Sequence, residues 1–397
     1  MDKRWMILGA LFLARTAMGF QFQSVASAAP FMIRDLGFSY AQIGTLIGLY
    51  FLPGIVIALP GGMLGHRFGD KIVCSAGLVL MVLGALLMGM SRSYEMAFAG
   101  RLLSGVGGIL FNLVLTKMTT DWFAGHGIVF AMCVVLASWP FGIGAGLQLQ
   151  GRIAASYGWP WVMYAAGGLC AGALLLILLV YRVPRRLESR ADASGSAPIS
   201  RFALPPVSEA LPTAIAGAIW GSFNVALVLF FSFAPSLLVE RGTPPIEAAA
   251  WTSVALWICM VSVPLGGYAV ERLGRSNGAI IVFCCLAGLA LGLLPLNVSA
   301  VVLCAIVGAA VGPPAGAIMA LPARVLGPSS RAMGFGLFYT CYYVINAAGP
   351  ALAGVLRDVS KSAAAPVLLG AAFFIAVTPL LLAFHSARRT RNSLSAT

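Results

Sequence analysis

Charge is scarce in this sequence. Of its 397 residues, 9% are Asp, Glu, Lys or Arg and 60% are hydrophobic. A soluble domain carries roughly 25% charged residues, so this chain has too little polar surface to fold in water and needs lipid as its solvent. Soluble enzymes, soluble binding modules and nucleic-acid readers are excluded together. Acid is scarcer than base, with 12 Asp and Glu against 25 Lys and Arg, and only three His. Asp2, Asp35, Asp70, Glu95, Asp121, Glu188, Asp192, Glu209, Glu240, Glu247, Glu271 and Asp358 all fall in connectors, at the ends of apolar segments or in one long linker. His66, His126 and His385 lie on the side of the termini. The apolar segments therefore hold neither carboxylate nor imidazole at depth, the groups that proton-coupled carriers use as relays.

Other absences narrow the field further. The eight cysteines lie in apolar segments without zinc-ligand spacing, so they read as small core residues and imply no disulfide framework and no metal. No nucleophile–base pair or phosphate loop is present, which argues against an enzyme and against a bound cofactor. The first apolar stretch runs about 25 residues, longer than the roughly 7–15 of a secretory signal.

What is present is length without charge. A membrane-spanning helix needs about 20 apolar residues, and twelve stretches qualify: 5–30, 40–63, 72–90, 96–118, 127–149, 159–182, 210–238, 248–270, 278–296, 299–321, 332–355 and 365–385. In lipid every backbone polar group must be bonded internally, so each stretch is a helix. The fold class expected is an all-α integral membrane protein of twelve transmembrane helices in two six-helix bundles. Residues 183–209, polar, basic and rich in Pro and Ser, divide the helices six and six. They are read as a cytoplasmic linker between an N-terminal half (1–182) and a C-terminal half with a short tail (210–397). With both termini and the linker inside, 17 of the 25 Lys and Arg are internal and six external, while Arg15 and Arg101 lie within helices. That bias places both termini in the cytoplasm, in an inner (plasma) membrane.

The two halves repeat. "GGMLGHRFGDK" (61–71) follows the second stretch and "GGYAVERLGRS" (266–276) follows the eighth. Gly61, Gly62, Arg67 and Gly69 match Gly266, Gly267, Arg272 and Gly274 at a constant offset of 205. A four-residue match at equivalent places in two six-helix halves fits a secondary transporter with its site between the halves. On these residues the sequence resembles the major facilitator superfamily over nearly its whole length. "RLLSGVGG" (101–108) is similar to the family's fourth-helix Arg motif, and "YGWPWVMY" (157–164) to its usual approach to the sixth helix. The resemblance implies that Gly62, His66, Arg67 and Gly69, with Gly267, Glu271, Arg272 and Gly274, form two conformational loops. In the family an acid in that loop latches one state against a helix N-terminus. Glu271 keeps that acid. His66 stands in its place in the first loop, and Asp70 stands where a basic residue is usual, so the first latch departs from the pattern. "SWPFGIGAGLQLQG" lacks the Gly-Pro string of drug/proton antiporters. An Arg early in the first helix is similar to the cyanate/nitroimidazole branch.

Arg15 carries most of the chemistry. It lies ten residues past Trp5, or roughly 15 Å into a 30 Å core. One reading has it snorkel to the headgroups; the other has it face a cavity and bind a planar anion. Arg101, nearer a helix end, is a second candidate for solute contact or for a structural hydrogen bond. Arg101, Gly105, Gly108 and Asn112 share one helical face. Gln21, Gln23, Asn112, Trp220, Asn224, Tyr339, Tyr343 and Asn346 sit on helices that line the cavity in the resembled family. Each serves equally well in helix packing. The leading reading is a carrier for a small anion, working as a monomer on a small solute without nucleic acid. An efflux carrier for neutral or amphipathic compounds is the alternative, and a receptor without transport is disfavoured by the twofold repeat. On the expected topology, a cysteine at Ser196 in the linker is labelled by an impermeant thiol reagent only from the cytoplasmic side. Labelling from outside would invert the arrangement.

Overall fold

The computed structural model describes residues 3–58, 68–123, 127–182, 206–296, 298–327 and 330–394. Twelve transmembrane elements follow in chain order: α1 (Lys3–Leu36), α2 (Tyr40–Ile57), α3 (Asp70–Gly89), α4 (Tyr94–Phe123), α5 (Ile128–Tyr157), α6 (Trp159–Val180), α7 (Val207–Glu240), α8 (Pro245–Leu273), α9 (Ser276–Leu293), α10 (Ala300–Arg324), α11 (Arg331–Ser360) and α12 (Ala364–Leu394). Several outrun their apolar stretches. α1 continues to Leu36, α5 to Tyr157 and α7 to Glu240, because polarity marks where lipid ends and not where backbone hydrogen bonding ends. Eleven of the twelve are long and apolar enough to cross a membrane. The exception, α11, is 30 residues long but carries Tyr339, Tyr342, Tyr343 and Asn346 along its middle.

Two elements are interrupted, each where the sequence supplies the cause. α2 consists of Tyr40–Leu49 and Gly54–Ile57, broken before Pro53. α10 consists of Ala300–Ala310 and Gly312–Met319 with a 3-10 turn at Pro322–Arg324. Pro313 and Pro314 start the second piece, where a missing N–H costs nothing. α2 opens on a capping box: the Gln42 amide donates to Ser39 Oγ (3.1 Å), and the Ser39 amide donates to Gln42 Oε1 (2.9 Å). Of the cysteines, Cys74, Cys170, Cys284 and Cys304 are buried as core residues, Cys259, Cys285 and Cys341 are half-buried, and Cys133 is exposed on α5.

α1–α6 form one bundle and α7–α12 the other, and they meet along two seams, α2 against α11 and α5 against α8. Both seams lie toward the end of the molecule away from the chain termini. The first is made of small residues. A methyl group at Gly44, Gly48 or Gly354 would overlap the main-chain oxygen of Pro350, Ala347 or Tyr40 respectively, so the two backbones touch directly. Asp358 closes the top of this seam. Its Oδ1 accepts from the Tyr40 amide (3.1 Å) and its Oδ2 from the Ala41 amide (2.7 Å), a carboxylate set on the positive end of α2. Arg357 stacks over the Tyr40 ring (4.8 Å) and pairs with Glu240, whose Oε2 accepts from the Ala363 amide at the start of α12 (3.0 Å). On the second seam Gln148 Nε2 donates to Ser253 Oγ (2.8 Å) and Trp257 lies over Gly144.

Since Gly48 faces a carbonyl with no side chain to yield, Gly48→Val should force α2 from α11. Spin labels at Arg34 and Ser360, in a background freed of native cysteines, should then report a longer interhalf distance. An unchanged distance distribution would show that the seam tolerates a side chain.

Candidate functional site

The two arginines inside the bundle have opposite surroundings. Arg101 is fully buried on α4. Its Nε donates to Leu46 O (3.0 Å), its Nη1 to Gln21 O (3.2 Å) and its Nη2 to Phe22 O (2.8 Å). The guanidinium also lies 4.7 Å from the centroid of the Tyr50 ring and 5.6 Å from that of Phe22, a cation–π arrangement. Each nitrogen of this group donates to a main-chain oxygen of α1 or α2, so Arg101 ties three helices together. Of its two sequence readings, the structural one fits this geometry. The rest of its face agrees. Side chains at Gly105 or Gly108 would collide with Leu49 and Tyr50 of α2, so the glycines serve close packing and leave no ligand room. Asn112, further along, is half-buried and makes no side-chain hydrogen bond among the described residues.

Arg15 is half-buried on α1. Nη1 donates to Val135 O of α5 at 3.3 Å, an oxygen that also accepts from Ser138 Oγ at 2.5 Å, and Nε is buried without a partner. Across the interface between the halves, the group lies within electrostatic reach of the phenols of Tyr342, Tyr339 and Tyr343 on α11.

The other candidates divide. Gln21 is turned away: its Nε2 donates to Met81 O of α3 (2.7 Å). Gln23 Nε2 makes long bonds to Ser27 Oγ (3.4 Å) and, across the halves, to Phe231 O (3.5 Å). Asn224 donates to Trp220 O one turn back (2.8 Å), and the fully buried Asn346 donates to Tyr342 O (2.9 Å) and Gly221 O (3.4 Å). Trp220 stacks on Phe223 (5.6 Å, 13°) and on Tyr342 (6.3 Å, 27°). Tyr343 packs on Tyr342 (4.9 Å) and against Gly54 of α2. The structure thus brings Arg15, Trp220, Tyr339 and Tyr343 to one region and uses Gln21, Asn346 and Arg101 to join helices, while Asn224 bonds within its own helix. Sequence reasoning missed Tyr342, which joins the α7 and α11 rings; the run "YTCYY" on one helix was its signal.

Of the two repeat loops, Gly62, His66 and Arg67 lie outside the described residues. Gly69 and Gly274 share a positive φ, 84° and 65°, which explains why glycine recurs at the matched position. Asp70, the departure from the family pattern, begins α3 and pairs with Lys117 of α4 (2.6 Å). Gly267 meets nothing that a side chain would strike. Glu271 is exposed and its carboxylate makes no ion pair or hydrogen bond among the described residues, while Arg272 Nη1 donates to Tyr268 Oη (3.3 Å). The acid-on-helix contact is made at the opposite end, by Asp358. A hollow of about 300 Å³ adjoins Gly274, Arg275 and Arg324, and one of about 540 Å³ adjoins Tyr157, Trp161 and Tyr164. Neither includes Arg15.

Residues 11–350 match the family profile described as Major Facilitator Superfamily. The hexuronate transporter of Bacillus subtilis (strain 168) is 22% identical over 67% of this chain and 64% of its own length. The putative tartrate transporter of Agrobacterium vitis is 22% identical over 96% of this chain and 87% of its own. The 3-(3-hydroxy-phenyl)propionate transporter of Escherichia coli (strain K12) is 25% identical over 61% and 59%. The chain thus spans less than two thirds of the hexuronate and phenylpropionate carriers. A bacterial homologue of the human lysosomal transporter Spinster, solved inward-facing and unoccupied, superposes with a TM-score of 0.73 at 16% identity, covering 99% of this chain and 98% of that one. That likeness is one of fold. The position of Arg15 suggested the cyanate/nitroimidazole branch; these relatives give that finer assignment no support, and it is withdrawn.

The contrast between the arginines predicts opposite responses to the same substitution. Arg101→Lys removes at least two charge-assisted hydrogen bonds worth about 1.5–3 kcal/mol each, and should lower the unfolding temperature in detergent markedly. Arg15→Lys removes one long bond and should leave that temperature within about a degree or two. Equal melting shifts would mean that both arginines are structural.

Proposed function

Because the chain belongs to the Major Facilitator Superfamily, we propose that it is a secondary or facilitative carrier that moves a small organic anion by alternating access between its two halves. The observation that carries this reading is Arg15, a cation in the lipid-embedded bundle with one 3.3 Å hydrogen bond and no acidic partner among the described residues. An unpaired arginine at that depth costs about 2.5–3.5 kcal/mol on insertion scales. A carboxylate arriving between the halves offsets that cost through two parallel charge-assisted bonds, a geometry the guanidinium fork matches. The names of the relatives, for hexuronate, tartrate and a phenylpropionate, are all of carboxylates and support the same class. The efflux alternative for neutral compounds leaves Arg15 only a structural role, through its one long bond to Val135 O.

In this proposal residues 1–182 and 210–397 are the moving halves and 183–209 the cytoplasmic tether, in an inner membrane with both termini inside. The seams closed by Asp358 and by Gln148 with Ser253 then lie on the outer side, and the arrangement is the inward-open member of the cycle. The anion enters toward Arg15 and neutralises it, and the halves close behind a pair with no net charge. Every described acid sits within three residues of a helix terminus. This supports a mechanism in which the protein core relays no proton, and any proton travels on the solute.

Counterflow in liposomes with a panel of labelled carboxylates tests both points. Exchange should persist when the pH gradient is collapsed. Arg15→Lys keeps the charge but loses the fork, so apparent affinity should fall about tenfold to a hundredfold, equivalent to about 1.5–3 kcal/mol. Wild-type uptake by Arg15→Lys below half-saturation would sink the anion site.

A further inference from the structure

Arginine is concentrated at one corner of the second bundle, at the end of the molecule that carries the termini. A hollow of about 300 Å³ opens there, lined by Gly274, Arg275, Ser276, Asn277, Gly278 and Arg324. Gly274 and Arg275 form the connector from α8, the next three residues are the first turn of α9, and Arg324 closes α10. Arg324 is held in place, since its Nη1 donates to Asn277 Oδ1 (3.3 Å). Arg388 and Arg389 of α12 lie within electrostatic reach of the same corner, the first near Arg324 and both near His385. Among the described residues none of these four arginines pairs with an acid. Even Glu271, four residues before Arg275, is exposed and leaves it unpaired.

The hollow is not filled from within. Arg275 stands at the N-cap of α9 without a side-chain cap bond, and the first turn of that helix carries no acid. The amides of Ser276, Asn277 and Gly278 are therefore left without a side-chain partner. No atom lies within 4 Å of a Cβ placed on Gly274 or Gly278, so the approach is open. Like charges gathered in one corner repel one another, and a bound anion relieves that repulsion. Guanidinium forks match the oxygens of a phosphate group in particular.

The surface beside the hollow decides which phosphate. From Gly278 along α9, Val282, Leu286 and Leu289 follow at i+4, i+8 and i+11 on one helical face, and all three are exposed. Leu265, Tyr268 and Leu273 of α8 are exposed as well. An apolar stripe that starts from a cluster of cations, at the level where the spanning helices end, matches an amphiphile with an anionic head and hydrocarbon tails. A free phosphate would use only the head of this arrangement. We infer that the corner formed by Arg275, Arg324 and the first turn of α9 binds the headgroup of an anionic phospholipid, whose acyl chains lie along the exposed face of α9. Every lining group belongs to the second bundle, so an occupied site adds cohesion to α8, α9 and α10 without tying the two halves together. The site does not depend on the identity of the transported solute.

Binding of fluorescently labelled phosphatidylglycerol to the full chain in detergent tests this. Unlabelled phosphatidylglycerol should compete, while phosphatidylcholine and millimolar inorganic phosphate should not. Arg275→Gln combined with Arg324→Gln should weaken binding about tenfold to thirtyfold. Arg275→Gln alone, which breaks no described contact, should weaken it about fivefold. Arg152→Gln, at an exposed arginine near the opposite end of the molecule, should stay within about twofold. Melting curves without lipid establish that the variants are folded, and phosphatidylglycerol should raise the melting temperature of the wild type more than that of the double variant. Equal competition by phosphatidylcholine would reveal a general lipid shell and overturn the inference. Competition by inorganic phosphate would make this a free-phosphate site and overturn the lipid assignment. Unchanged binding in both Arg275 variants would overturn the site itself.

Discussion

An arginine inside lipid must find its counter-dipole somewhere, and this chain supplies almost no acids with which to provide it. The fold and the proposed chemistry both follow from how two arginines meet that constraint. Arg101 turns inward and takes carbonyls from two neighbouring helices. Those carbonyls gain a strong interaction beyond their own helical bonds, so the cost of burying the cation becomes a clamp on α1, α2 and α4. Arg15 has one shared carbonyl and faces across the divide. The same residue type serves as scaffold in one place and as an unfilled electrostatic demand in the other.

The clamp and the site are coupled through α1. Arg101 holds the main chain at Gln21 and Phe22, about two turns beyond Arg15. Gln150 Nε2 donates to Phe20 O (2.7 Å) and Gln21 Nε2 to Met81 O (2.7 Å), so this stretch of α1 is tied to α3, α4 and α5. Arg15 therefore stands on a rigid helix. The tyrosines of α11 stand on a helix that belongs to the other half. Movement of one half against the other changes the gap between the cation and the phenols without disturbing either support, which is what a site in an alternating-access carrier requires.

Much of this was legible in the sequence. Twelve apolar stretches, the six-and-six division and the repeat at offset 205 come from hydrophobic length and matched turn chemistry, both local properties. The break in α10 follows from Pro313 and Pro314. What was not legible depends on helix rotation. Arg101, Gln21 and Asn346 look like site residues in one dimension because buried polar groups are rare in lipid. Which main-chain oxygen lies within reach is decided by packing between helices distant in sequence. Tyr342 was overlooked because a tyrosine in a membrane helix is unremarkable until its neighbours' ring planes are known. Asp358 read as an end-of-helix charge, and its role as a cap on α2 needed the contact between residues more than three hundred positions apart.

The glycine seam between α2 and α11 has a consequence for speed. Where side chains interdigitate, separating two helices means unlocking rotamers one after another, and each step adds friction. Gly44, Gly48 and Gly354 present bare main chain to bare main chain, so at these positions no side chain has to be withdrawn before the surfaces part or rearranged before they meet again. The hold on this end of the seam is then concentrated in a few polar contacts at its rim, those of Asp358 and Glu240. If the halves part here, as the proposed alternating access requires, those contacts act as a catch at the lip of the seam: they set how long it stays shut, while the glycine positions beneath them add little friction to its opening.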